Sequence, residues 1–88
     1  MNSRIEKILE AYETFNSTTR KNLVAGKLYD YFMQEFKGEL SHIYQDASKE
    51  EIREDIKTLA DMIYSEDNQT KREFLVGVLR QIVKFMKI

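Results

Sequence analysis

"SKEEIREDIKTLADMI", Ser48 to Ile63, carries the two signals that decide the fold. The first is the S-x-x-E spacing of Ser48 and Glu51. A serine hydroxyl at a helix start accepts from the amide three residues on, while the glutamate carboxylate reaches back to the first amide. The second is the return of Ile52, Ile56, Leu59, Ala60 and Ile63 every three or four residues, which places them along one side of a 3.6-residue helix.

Outward from this stretch the same pair of signals occurs twice more. Ser3 and Glu6 open a segment whose stripe is Ile5, Ile8, Leu9, Tyr12 and Phe15. The polar run "NSTTRKN" (16–22) is expected to end it, because Asn16, Ser17, Thr18 and Thr19 compete for helical hydrogen bonds through their side chains. Any of the last three can cap the next segment. That segment, Thr19 to Gln45, carries Val24, Leu28, Tyr31, Phe32, Phe36, Leu40 and Ile43 as a stripe, flanked by Tyr29 and Met33. Gly26 and Gly38 lie inside it. Each glycine lowers helix stability by about 1 kcal/mol relative to alanine, so a kink or break is expected near Lys37–Gly38. A third pair, Thr70 with Glu73, follows the polar turn "SEDNQ" (65–69).

Helices of about 13, 26, 16 and 17 residues with short polar loops predict an all-α fold, a small antiparallel bundle of four helices. Composition agrees. The chain has no proline and only three glycines, which suits helices and argues against a turn-rich β fold. Its 88 residues, 42% apolar with five Phe and five Tyr, suffice for one small core, so residues 1–88 are read as a single domain. No cysteine is present, which removes disulfides, a thiolate nucleophile and cysteine-ligated zinc. "MNSRIEKILE" alternates charge with aliphatics instead of offering a continuous apolar run, and a cytoplasmic protein is expected.

The last segment, "EFLVGVLRQIVKFMKI" (73–88), is the most apolar. At about 100° per residue, Phe74, Phe85, Val78, Ile82, Leu75, Met86, Leu79, Val83 and Val76 spread in that angular order over roughly 200° of the helix, twice the minimum arc of a surface helix. It is too short for a membrane span, which needs about 20 apolar residues, and Arg80, Gln81 and Lys84 interrupt it. Phe74, Val78, Ile82 and Phe85 are expected to face inward. Val76 and Val83, beside Arg80 and Lys87, form the far edge of the apolar arc. These four residues are a candidate second interface, through which two C-terminal helices can pair in a homodimer.

Charge is uneven beneath a net of −1. From Lys71 onward there are five basic residues and one acid; from Glu39 to Asp67 there are nine acids and three bases. Opposite charge on neighbouring helices is explained in part by mutual attraction, and Arg53 and Lys57 lie three or four positions from Glu50, Glu54 and Asp61. The like-charged pairs Glu50/Glu54 and Glu51/Asp55 nevertheless cost a few tenths of a kcal/mol each. Glu50, Glu51, Glu54, Asp55 and Asp61 are therefore the candidate face for a basic protein partner.

Other chemistries find no footing. Ser41 and His42 are adjacent on a helix and diverge by about 100°, so with Asp46 they cannot form a triad. One histidine, no cysteine and no calcium-loop pattern argue against a metal site, and the isolated Gly26, Gly38 and Gly77 make no phosphate-cradling loop. Neither cofactor nor catalysis is expected. "NST" at Asn16 and "NQT" at Asn68 match the glycosylation pattern but are read as helix-start residues. A helix-turn-helix with Thr70, Lys71 and Arg72 opening a recognition helix is conceivable, but an isoelectric point near 5.8 lacks the basic footprint that phosphate binding needs. A patch of Arg20, Lys21 and Lys27 is modest.

In size and helical pattern the chain resembles bacteriocin immunity proteins and small phage-encoded inhibitors, a likeness of architecture without a shared motif. The resemblance implies an inhibitor or neutraliser that acts by stoichiometric contact with a larger protein. The alternative is a transcription or replication accessory protein associated with DNA.

Overall fold

Among the described residues four helices form: α1 (Ser3–Thr19), α2 (Ala25–Tyr44), α3 (Lys49–Ser65) and α4 (Gln69–Phe85). A computed structural model describes residues 2–19 and 25–86, with the backbone alone described over 16–19 and 25–32. No strand occurs among the described residues, and the fold class is all-α.

Three of the helix starts are set by side-chain caps. At α3 the capping box is complete. Ser48 Oγ accepts from the Glu51 amide and Glu51 Oε1 accepts from the Ser48 amide, both at 3.1 Å. At the other two starts asparagine takes the place expected of serine or threonine. Asn2 Oδ1 accepts from the Ile5 amide at 2.9 Å, so Ser3 is the first helical residue of α1 and not its cap. Asn68 Oδ1 accepts from the Lys71 amide at 3.1 Å, so Thr70 lies inside the first turn of α4. Glu73 accepts from the Gln69 side-chain amide at 3.0 Å instead of closing a box with Thr70. Asparagine caps at least as well as serine or threonine, and in both helices it comes first in the chain. Asn68 thus opens a helix as expected, whereas Asn16 lies within α1.

α1 continues four residues past Phe15, through "NSTT". Asn, Ser and Thr weaken a helix by less than about 0.7 kcal/mol each, and neither glycine nor proline is present to stop it. Thr14 illustrates the tolerance, its hydroxyl bonding back to the Glu10 carbonyl at 3.1 Å. Thr19, the last described residue of α1, is therefore helical and does not cap α2, whose first described residue is Ala25. The expected stripe member Val24, with Arg20 and Lys21, lies outside the described residues, as do the side chains of Lys27, Leu28, Tyr29, Tyr31 and Phe32.

α2 is a single helix through Lys37 and Gly38, so the expected break does not occur. Gly38 is exposed, and its roughly 1 kcal/mol helix penalty is set against the burial of Phe36 and Leu40 on either side. Fully burying one such side chain contributes about 1.5–3 kcal/mol.

Contacts divide the chain into two units, Met1–His42 and Ile43–Ile88, and α2 spans the boundary. In the first, Ile5, Ile8, Tyr12 and Phe15 of α1 and Phe36 and Leu40 of α2 are buried, and the rings of Tyr12 and Phe15 lie 6.5 Å apart. In the second, α3 and α4 pack on each other. Ile52 and Leu59 from α3 and Phe74, Leu75, Val78 and Ile82 from α4 are buried there, while Phe85 is half-buried.

Candidate partner-binding faces of α3 and α4

The angular positions along α3 sort its acids into two groups. At about 100° per residue, Glu54, Lys57, Asp61 and Tyr64 all fall within about 40° of Glu50, and this row is exposed. Asp55 lies about 140° away, three residues after Ile52 and four before Leu59, on the packed side. Tyr64 is the most exposed large apolar residue described, at 92% of its full accessibility.

Asp55 is fully buried and is not part of the acidic outer face. Tyr44, at the end of α2, donates its phenolic hydrogen to Asp55 Oδ2 at 2.7 Å, and the Tyr44 ring lies 6.0 Å from that of Phe85 in the last turn of α4. One tyrosine thus touches both helices of the second unit. Its hydroxyl supplies the hydrogen bond that a buried carboxyl requires.

The remaining candidates on α3 are exposed. Glu50 and Asp61 carry side chains without a hydrogen bond or ion pair among the described residues, and Glu54 faces Lys57 at 3.7 Å with both side chains largely in solvent. Such a pair contributes about 0.3–0.5 kcal/mol and leaves the acid available. Glu51 is exposed too, but its carboxylate is engaged at the cap.

The basic residues of α4 divide by position. At its first turn they are used locally. Lys71 Nζ lies 3.5 Å from Glu66 Oε1, and the Arg72 guanidinium donates through Nε (3.1 Å) and its second nitrogen to the Glu66 carbonyl. Glu66 Oε2 also accepts from the Asn68 amide at 3.0 Å. That backbone donor, with the nearby Lys71 charge, holds the Glu66 carboxyl below its ordinary pKa against the opposing effect of desolvation. Lys71 and Arg72, which a recognition helix would direct to phosphate, are committed to this turn.

Farther along, Arg80 and Lys84 are exposed and their side chains have no hydrogen bond or ion pair among the described residues. With Leu79, Gln81 and Val83 they line an open recess of about 570 Å³. Val83 is 41% exposed and Val76 half-buried, while Lys87 lies outside the described residues.

Elsewhere, Ser41 Oγ donates to the Lys37 carbonyl at 3.2 Å, and His42 is exposed. Among the described residues no group of three or more His, Cys, Asp or Glu could hold a metal ion, and no helix is long and apolar enough to cross a membrane.

Two tyrosines lie outside the expected stripes. Tyr44 follows Leu40 and Phe36 at steps of four, a row that identifies it as inward-facing beside the expected stripe member Ile43. Tyr64 stands three residues beyond Asp61 and seven beyond Lys57, which places it on the outer row. No protein-family model, curated protein or solved structure matches the chain.

Proposed function

We propose that this chain is a non-catalytic protein-binding module, a small inhibitor or neutraliser that captures a larger protein bearing a basic surface through the outer face of α3. The observation that carries this reading is the alignment of Glu50, Glu54 and Asp61 on one exposed row that ends in Tyr64. Carboxylates in such a row steer a basic partner and set its register, and an exposed aromatic is the side chain most often found at the energetic centre of an interface. The row stands on a helix whose start is fixed by a complete capping box and whose inner side is packed on α4, so its geometry is established before a partner arrives.

Affinity capture from an extract of the native host tests the proposal. The chain and its E50K/E54K/D61K variant are immobilised in parallel, and retained proteins are identified by mass spectrometry. A protein held by the first and lost by the second, with unchanged helical circular dichroism, supports the assignment. Equal retention on both removes the outer face of α3 from the function.

A further inference from the structure

The two exposed large apolar residues among those described, Tyr64 and Val83, occur in opposite electrostatic settings. Tyr64 stands one turn from Asp61, at the end of an acidic row. Val83 stands between Arg80 and Lys84, at the edge of the α4 recess. In each helix the apolar residue lies three positions after an exposed charge without a partner among the described residues, Asp61 in one and Arg80 in the other. Three positions correspond to about 4.5 Å along a helix axis, so the two pairs have the same span.

We propose that the chain associates with a second copy of itself, the outer face of α3 in one copy lying on the α4 recess of the other. Tyr64 of one copy then covers Leu79 and Val83 of its neighbour and offers its ring to Arg80, while Asp61 meets Lys84 and Glu50, farther along the row, adds attraction at longer range at low salt. A two-fold arrangement makes this contact twice, with each copy giving one acidic and one basic face. Pairing of α4 with α4 is the poorer geometry, because it sets Arg80 and Lys84 against like charges. The proposal does not depend on the inhibitor reading. It adds a consequence, namely that self-association hides the face that would capture another protein, so the two states compete.

Sedimentation equilibrium of the full chain at low and high salt, with two charge-reversed variants, tests it. One variant is E50K/D61K and the other R80E/K84E; all four positions are exposed, and circular dichroism checks that the helices persist. The unaltered chain is expected to self-associate at low salt and to weaken at least about tenfold as salt screens the contact. Each variant alone is expected to be monomeric, because both of its faces then carry one sign. An equimolar mixture of the two is expected to restore association, since each face again meets its opposite. An unaltered chain that stays monomeric up to about 1 mM at low salt overturns the proposal. So does association that both reversals leave unchanged, or a mixture that associates no more strongly than its components. Failure here leaves the capture experiment unaffected, because that experiment scores a different protein.

Discussion

The inner and outer sides of α3 put the same functional group to opposite uses. Asp55 has no accessible surface and is tied to Tyr44, which also stacks near Phe85, so its carboxyl helps to join the end of α2 to both helices of the second unit. Glu50 and Asp61, a turn or two away on the same helix, stand in solvent without partners among the described residues. Angle around the helix, and not charge, decides whether an acid in this sequence supports the fold or is available for recognition.

Charge reversal on each side gives the largest contrast. Asp55→Lys places an ammonium where a carboxyl accepted a phenolic hydrogen, and an unpaired buried charge costs about 3–5 kcal/mol. Asp61→Lys is expected to change stability by no more than about 0.5 kcal/mol, as exposed substitutions do. Urea unfolding followed by circular dichroism measures both; equal losses would show that the two sides are not distinct. Tyr44→Phe probes the inner side more gently. It leaves the Asp55 carboxyl without this donor, and a loss of about 1–3 kcal/mol is expected.

The smallest effect concerns Glu66, the acid that belongs to neither side but to the turn between α3 and α4. Its folded pKa lies below the unfolded value, so its contribution is present above that unfolded value, about 4.5, and is lost as pH falls through the folded pKa. Glu66→Gln should therefore be less stable than the parent chain near neutral pH, and the difference should vanish in acid. A difference that persists at low pH would assign the effect to packing instead of charge.

Helix existence was legible because apolar spacing and caps are local. The S-x-x-E box at Ser48 predicted the start of α3 correctly, since both partners lie within one turn. The starts of α1 and α4 were displaced by one and two residues, because Asn2 and Asn68 compete with the serine and threonine that follow and reach the free amides first. The break expected at Gly38 does not form. A glycine penalty near 1 kcal/mol is small beside two buried neighbours, Phe36 and Leu40.

The outer face was legible in part. Glu50, Glu54 and Asp61 fall on the exposed row, whereas Asp55, of the same charge, is buried, and its place between Ile52 and Leu59 in the apolar spacing marks it as inward. Its pairing with Tyr44, eleven positions earlier, is a tertiary contact that no local pattern announces. The contrast between Lys71 and Arg72, engaged at the turn, and Arg80 and Lys84, unengaged among the described residues, likewise depends on where the chain folds back.

The most direct test of the central claim is amide NMR shift mapping of the chain as the captured protein is titrated in. The account predicts that the amides of Glu50, Glu54, Asp61 and Tyr64 shift together while the Ile5 and Ile8 amides of α1 stay in place. Shifts confined to α1, with the outer row of α3 unmoved, would contradict it.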